Sequence, residues 1–272
     1  MKQEEINEMI KTGRNFMHHN ERKDFVSDQE LKKPQPPLVK ERMSDHEPIQ
    51  LPRNFKDLPL KNDFIEIIKN RKSSRIFTEK GISLLQLSFL LWSTQGILDI
   101  RGKQYATLRT VPSGGARHAF ETYLIIQNCE SLKPGLYHYL PMTHELEFIK
   151  KLNNIQDVIN KSLCNQTWST KADVVFYWTC IPARCEWRYG IMAHRVALID
   201  AGHVGQNLYL ACSSLGLGAC AVAAFDNPYC DEIIGIDGNE EFVVYSAPVG
   251  TISQKNKQAE DAFYQFVKDQ NL

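Results

Sequence analysis

The chain of 272 residues lacks a charge excess: Lys and Arg together number 32, and Asp and Glu also number 32. A nucleic-acid partner is therefore not expected, because binding a phosphate backbone normally selects a basic surplus. Apolar runs of the roughly 20 residues that span a bilayer are also missing, so no membrane partner is expected. The opening Met1-Lys2-Gln3-Glu4-Glu5 has no signal-peptide build, and a cytoplasmic location is the expectation. Seven cysteines occur without any Cys-x-x-Cys pair, and neither Cys180 nor Cys185 stands at ligand spacing from a histidine. No metal site is expected. Cys129, Cys180, Cys212 and Cys220 lie in apolar segments and read as small buried hydrophobes.

Proline is thin except between Pro34 and Pro59, where six of the twelve fall. Each removes a backbone donor and restricts its predecessor, which predicts an extended strap running over the globular part or over a partner subunit. Residues 1–60 thus read as a polar extension with this strap, and 61–272 as the folded domain. Within the domain, Phe64, Ile65, Ile67 and Ile68 mark a short helix. Ser83 is a candidate N-cap for a helix closed by Gly96. Strands are expected over Thr122–Gln127, Gly135–Leu140, Leu146–Lys150, Asp173–Cys180, Gly218–Phe225 and Phe242–Val249, with helices over Asn154–Leu163, Tyr189–Ser214 and Gln258–Lys268. Interleaving without a regular βαβ cadence favours α+β. In the long helix Ala193, Ala197, Ala201 and Gly205 recur at i+4, a stripe that lets another helix approach closely. That contact is either within the domain or at a central dimer helix, and the dimer seam is the sharper expectation.

The densest chemistry lies in Asn70-Arg71-Lys72-Ser73-Ser74-Arg75. Arg71, Ser73 and Arg75 project from one face of an extended segment, and two guanidinium forks around a hydroxyl suit a phosphate. A solvated basic turn is the ordinary reading of such a triplet. Pro112-Ser113-Gly114-Gly115-Ala116-Arg117-His118 is a small-residue loop whose glycines let main chain approach a planar ligand. It lacks the hydrolase elbow pattern, so Ser113 is not a nucleophile candidate, and His118 reads as structural. Arg188-Tyr189 presents a cation and a phenol either to a substrate or to solvent. Asp200 and His203, three apart on the long helix, are expected to pair structurally. Gly216-Leu217-Gly218-Ala219-Cys220-Ala221 matches a dinucleotide fingerprint in letters only, since a helix precedes it and a strand follows.

Taken in order, Arg71-Lys72-Ser73-Ser74-Arg75-Ile76-Phe77, Pro112-Ser113-Gly114-Gly115-Ala116-Arg117-His118 and Leu198-Ile199-Asp200-Ala201-Gly202-His203-Val204-Gly205-Gln206-Asn207-Leu208 resemble the nitroreductase superfamily of FMN-dependent oxidoreductases, over about residues 64–250. The closer match is its SagB-type, azoline-dehydrogenase-like branch. The resemblance implies an α+β sandwich, with a central mixed or antiparallel sheet flanked by helices. It also implies a domain-swapped-like homodimer built on long central helices, with FMN at the interface. By position, Arg71, Lys72, Ser73 and Arg75 would hold the FMN phosphate and ribityl chain. Pro112, Ser113, Gly114 and Gly115 would contact flavin from the other subunit, and the strand around Ala223 and Ala224 would lie against its ring. A basic residue after Pro248-Val249-Gly250 would complete the phosphate site, with Lys255 and Lys257 both open. The catalytic pair would be Arg188 and Tyr189, where the azoline branch carries Lys-Tyr. Arginine does not give up its proton, which separates this chain from that chemistry. The function so implied is an FMN-dependent oxidoreductase taking electrons from an NAD(P)H-type donor and passing them to a small-molecule acceptor. The alternatives are an azoline dehydrogenase that uses oxygen, and a non-catalytic flavin-binding protein.

Overall fold

A run of valines and then aromatic residues makes Val174–Cys180 a strand with both faces buried, inside the main sheet. The computed structural model describes residues 2–17 and 25–270. Labels follow chain order: α1 (Gln3–Met17), β1 (Ile49–Gln50), α2 (Phe64–Asn70), α3 (Leu84–Gln95), β2 (Ile97–Arg101) and β3 (Ala106–Arg109). Next come β4 (Phe120–Ile126), β5 (Gly135–Leu140), β6 (Glu145–Lys150), α4 (Ile155–Ser162), β7 (Val174–Cys180) and α5 (Ala183–Tyr189). The chain closes with α6 (Ala193–Leu215), β8 (Leu217–Ala219), α7 (Asn227–Ile234), β9 (Phe242–Thr251) and α8 (Gln254–Asp269).

Among the described residues the main sheet runs β1-β6-β5-β4-β7-β9-β8, with every strand pair antiparallel. Alternation splits β7 between two cores. Val174, Phe176 and Trp178 pack with the α3 and α6 side, whereas Val175 and Tyr177 pack with Ile159, Ile233 and Ile234 of α4 and α7. The result is the expected α+β sandwich, a largely antiparallel sheet between helical layers. Ser83 caps α3 in a reciprocal capping box with Gln86. Gly216 ends α6 and β8 follows at once, so the glycine pattern there is a helix-to-strand turn.

Several expectations are corrected. The helix expected to start at Tyr189 is broken at Gly190 (φ 48°), where the ring of Phe25 fills the space a Cβ would need. The small-residue stripe faces its own chain: Ala193, Ala197 and Ala201 belong to the core on the α6 side of the sheet, and Gly205 lies against the Tyr245 ring. It is therefore an intrachain helix-to-sheet contact and not a dimer seam. Leu198 and Ile199, on the other side of α6, are the exposed ones. The strand expected over Gly218–Phe225 stops at Ala219; a single bridge, Val222 to Ser246, follows, and Ala223 and Ala224 are exposed. The last helix starts at Gln254, earlier than expected.

The proline-rich strap is held by acceptors that reach it from the sheet. Glu147 on β6 accepts from Met43 N (2.9 Å) and Ser44 N (3.1 Å), and Glu121 on β4 accepts from Lys40 N (2.9 Å). Both carboxylates are buried, and His138 joins them, 2.7 Å from Glu147 and 3.2 Å from Glu121. Burial opposes charging His138, but its bonds to the two carboxylates prevail and raise its pKa. Arg184 closes the network on Glu121 at 2.6 Å. Removing one member strands buried charge, so Glu147→Ala is expected to cost about 3–5 kcal/mol. Urea denaturation measures it; a loss under about 1 kcal/mol would mean the strap docks by other contacts.

Candidate functional site

Residues 71–75 leave α2 in extended conformation, as their spacing requires. Arg71 caps α2, Ser73 bridges to Ala219 in parallel fashion, and Ser74 N donates to Ala219 O at 2.9 Å. Tyr209 of α6 organises this segment. Its ring lies under the Arg71 guanidinium, 5.2 Å from the centroid, and its hydroxyl is 2.8 Å from Ser73 Oγ. The same hydroxyl accepts from Ala221 N at 2.8 Å, which ties the cationic segment to the chain leading into Ala223 and Ala224. A small cleft opens here between Asn70, Arg71, Lys72, Ser74 and Ser213. Arg75 turns over the ring of Trp168, 5.7 Å from its centroid, so the two arginines flank the segment without converging on one point.

The last helix supplies the cleft with acid. Glu260 lines it and accepts from Arg75 N at 2.6 Å, while Asp261 pairs with Lys72. Lys255 is exposed on the first turn of α8, and the side chain of Lys257 lies outside the described residues.

The second group of candidate residues surrounds the loop that starts at Pro112. Asp200 of α6 holds it: Ser113 Oγ donates at 2.6 Å and Gly114 N at 3.1 Å. Burial raises the Asp200 pKa, and these two donors act against that rise. The expected Asp200–His203 pair is thus replaced by a tie to a loop 87 residues away. Gly115 has φ 56°, and a Cβ there would lie 2.6 Å from Arg188 Cδ and 2.7 Å from the Tyr189 hydroxyl. Only glycine fits, and Arg188 and Tyr189 pack directly on the loop. Arg188 donates from Nη1 to the Tyr105 hydroxyl (2.9 Å) and to Gln29 Oε1 (3.2 Å). His118 is buried, its pKa pushed down to about 2 by burial and by Arg109, which favours the neutral imidazole.

Both groups are mounted on α6, but apart. Asp200 and Tyr209 are nine residues apart, about 14 Å along the axis and half a turn around it. They lie on the two flanks of the core-facing stripe, so within one chain the cationic segment and the glycine loop open to different sides. Tyr209, Tyr105 and Gln29 were not expected from sequence. Nothing marks Tyr209 but its place in an otherwise aliphatic helix face, and Gln29 lies in the polar extension.

A sandwich of this topology, with cationic and glycine-rich segments on one long helix, is the nitroreductase fold. The Nitroreductase family model matches residues 68–251, and the chain belongs to that family. MJ1384 of Methanocaldococcus jannaschii, itself named as a nitroreductase, is 29% identical over 208 residues, covering 76% of this chain and 98% of that one. The microcin B17-processing protein McbC of Escherichia coli is 26% identical over 133 residues, 47% of this chain and 49% of McbC. The trifolitoxin-processing protein TfxB of Rhizobium leguminosarum is 29% identical over 135 residues, 47% of this chain and 36% of TfxB. Among solved structures, a nitroreductase-named protein of Ralstonia eutropha superposes with TM-score 0.58 at 23% identity, over 81% of this chain and 99% of that one. A chain of the E. coli microcin synthetase McbBCD complex superposes with TM-score 0.57 at 20% identity, over 93% of this chain and 95% of that one.

Because one hydroxyl serves both Ser73 and Ala221, Tyr209→Phe leaves two part-buried polar groups without it. The expected loss is about 1–3 kcal/mol in urea denaturation, with Ser73→Ala costing less because it leaves the Ala221 contact intact. Equal stability of Tyr209→Phe and wild type would show that the bridge contributes nothing.

Proposed function

We propose that this oxidoreductase of the nitroreductase family depends on FMN and works as a homodimer. The observation that carries the reading is the placement of Arg71–Arg75 and Ser113–Gly115 on opposite flanks of α6. A two-fold copy would bring the cationic segment of one chain to face the loop of the other. An apolar groove lined by Phe64, Phe89, Trp92, Leu98 and Leu210, with Leu198 and Ile199 exposed on α6, supports such a partner surface. The chemistry of the donors suits a phosphate monoester: Arg71, Lys72 and Ser74 line the cleft, while Ser73 and Arg75 stand on the same segment outside it.

Bound FMN would supply the electron and hydride chemistry, as flavins do. The chain's own groups do the rest. Arg71, Lys72, Ser73 and Arg75 hold phosphate, with Lys255 or Lys257 as a further cation. Pro112, Ser113, Gly114 and Gly115 contact the ring from the second copy, and the main chain around Ala223 and Ala224 lies against it. Arg188 and Tyr189, packed on Gly115, border the space where an NAD(P)H-type donor and then a small-molecule acceptor take turns. Arg188 orients by charge and does not move a proton.

Similarity to proteins named for processing microcin B17 and trifolitoxin supports a second reading, a SagB-type azoline dehydrogenase that oxidises thiazoline or oxazoline rings of a peptide with oxygen as acceptor. In that reading the Tyr189 phenol, the proton-bearing group beside Arg188, is the candidate acid or base. Oxidation of a cyclised peptide without NAD(P)H separates it from the first. A non-catalytic flavin binder would hold FMN that no nicotinamide bleaches.

The purified protein is expected to show the visible spectrum of FMN, and Arg71→Ala to weaken FMN binding by about 1.5–3 kcal/mol in a fluorescence titration. Unchanged affinity in Arg71→Ala and in the Ser73→Ala, Arg75→Ala pair would remove the phosphate assignment. Sedimentation should give a dimer, and Leu198→Glu with Ile199→Glu should release both the partner and the FMN. A wild-type monomer that retains FMN would contradict the two-chain site.

A further inference from the structure

Around the loop at Ser113 the described residues gather three arginines, Arg101, Arg117 and Arg188, and the one carboxylate that touches the loop, Asp200, is turned to Ser113 and Gly114. A pocket of about 630 Å³ opens there, lined by Arg101, Tyr105, Ser113, Gly115, Ala116 and Arg188. That volume suits a small organic substrate. Behind its wall Arg117 is buried, donating to Gly115 O (3.0 Å), Tyr105 O (3.0 Å) and Gln35 Oε1 (3.3 Å), all neutral acceptors. Its guanidinium also lies over the rings of Tyr105 and Trp187, 4.8 and 5.3 Å from their centroids. Burial lowers the Arg117 pKa, and among its charged and titratable neighbours Tyr105 works against that fall while Arg188 adds to it.

Among the described residues, the neighbouring acids hold hydrogen bonds or ion pairs of their own. Asp28 pairs with Lys33 at 2.8 Å, Glu30 accepts from Ser27, and Glu186 bonds His194 at 2.7 Å. Asp99 accepts from Ile100 N, and Asp200 accepts from Ser113 and Gly114. Among the described residues, the hydrogen bonds of Arg188 to Tyr105 and Gln29 both leave Nη1, so neither uses its Nε–Nη2 edge. That edge is a side-on fork of the kind that binds carboxylate or phosphate, and its Nε packs on Gly115, where a Cβ would come within 2.6 Å of it. Gln29, from the extension, sets the orientation of this fork without neutralising it.

We infer that this pocket selects substrates bearing an anionic group, a carboxylate or phosphate held by Arg188 and Arg101 in the field of Arg117. The inference rests on the flavin reading only for what is oxidised or reduced; the anion site itself stands on the arginines. The donor's phosphate and the acceptor's carboxylate share this chemistry, and the test separates them.

The test compares 4-nitrobenzoate with 4-nitrobenzamide, neutral and of similar shape, on the FMN-loaded protein, both as acceptors and by calorimetric binding. NADPH is compared with NADH as donor. The expected result is a preference of about tenfold or more for one anionic member of a pair, in Kd as well as kcat/KM. Arg188→Gln or Arg101→Gln should reduce it severalfold, and Arg188→Lys should restore part of it. Collapse of the nitrobenzoate preference assigns the acceptor's carboxylate, and collapse of an NADPH preference assigns the donor's phosphate. Equal binding of charged and neutral members by the wild type, or a preference unmoved in both Gln variants, overturns the inference. A protein that binds nitrobenzoate over nitrobenzamide but takes up no FMN would overturn the flavin reading and leave the anion site standing.

Discussion

Helix α6 lies close against the sheet because Ala193, Ala197, Ala201 and Gly205 present almost no side chain to it, and that contact fixes where both candidate half-sites stand. From the flanks of this helix Asp200 reaches one loop and Tyr209 reaches one extended segment. Neither loop needs to be rigid by itself. Each borrows its position from a helix whose own position is set by close packing, so a disturbance of the stripe would be felt at both ends.

A second constraint acts from the opposite end of the sequence. A strap rich in proline offers few donors, and three of its backbone N–H groups, those of Lys40, Met43 and Ser44, are received by the buried carboxylates of Glu121 and Glu147. His138 and Arg184 keep those carboxylates charged inside the sheet. The strap is then continuous with the segment that brings Gln29 to Arg188 and Phe25 to Gly190. The extension thereby takes part in shaping the pocket wall, through residues that have no core of their own.

Features dictated by neighbours in sequence were legible in it. Short runs rich in β-branched and aromatic residues marked β4, β5, β6 and β7, Ser83 marked the start of α3, and Gly216 marked the end of α6. Spacing showed that Arg71, Ser73 and Arg75 would share a face if the segment were extended, and the bridge from Ser73 to Ala219 supplies that condition. What could not be read depends on partners far along the chain. The break at Gly190 is set by Phe25, and Asp200 looked like a partner for His203 until Ser113 was brought beside it. A stripe of small residues declares a close approach but not what approaches, which is how a contact with the chain's own sheet could be taken for a seam between subunits. The β2–β3 hairpin escaped because β2 is largely exposed on both faces and shows no alternation to detect.

Glu260 and Asp261 carry a consequence for the cationic segment they cover. With Asp261 on Lys72 and Glu260 on Arg75 N, the segment is already occupied by counter-charge from its own chain. An anion that binds Lys72 or the Arg75 N–H takes those positions in exchange, so what it gains there is a difference between two sets of contacts and not the sum of new ones. The carboxylates act as resident competitors. They discount weakly held inorganic anions, and they favour a ligand whose remaining atoms make contacts that no side chain of α8 can replace.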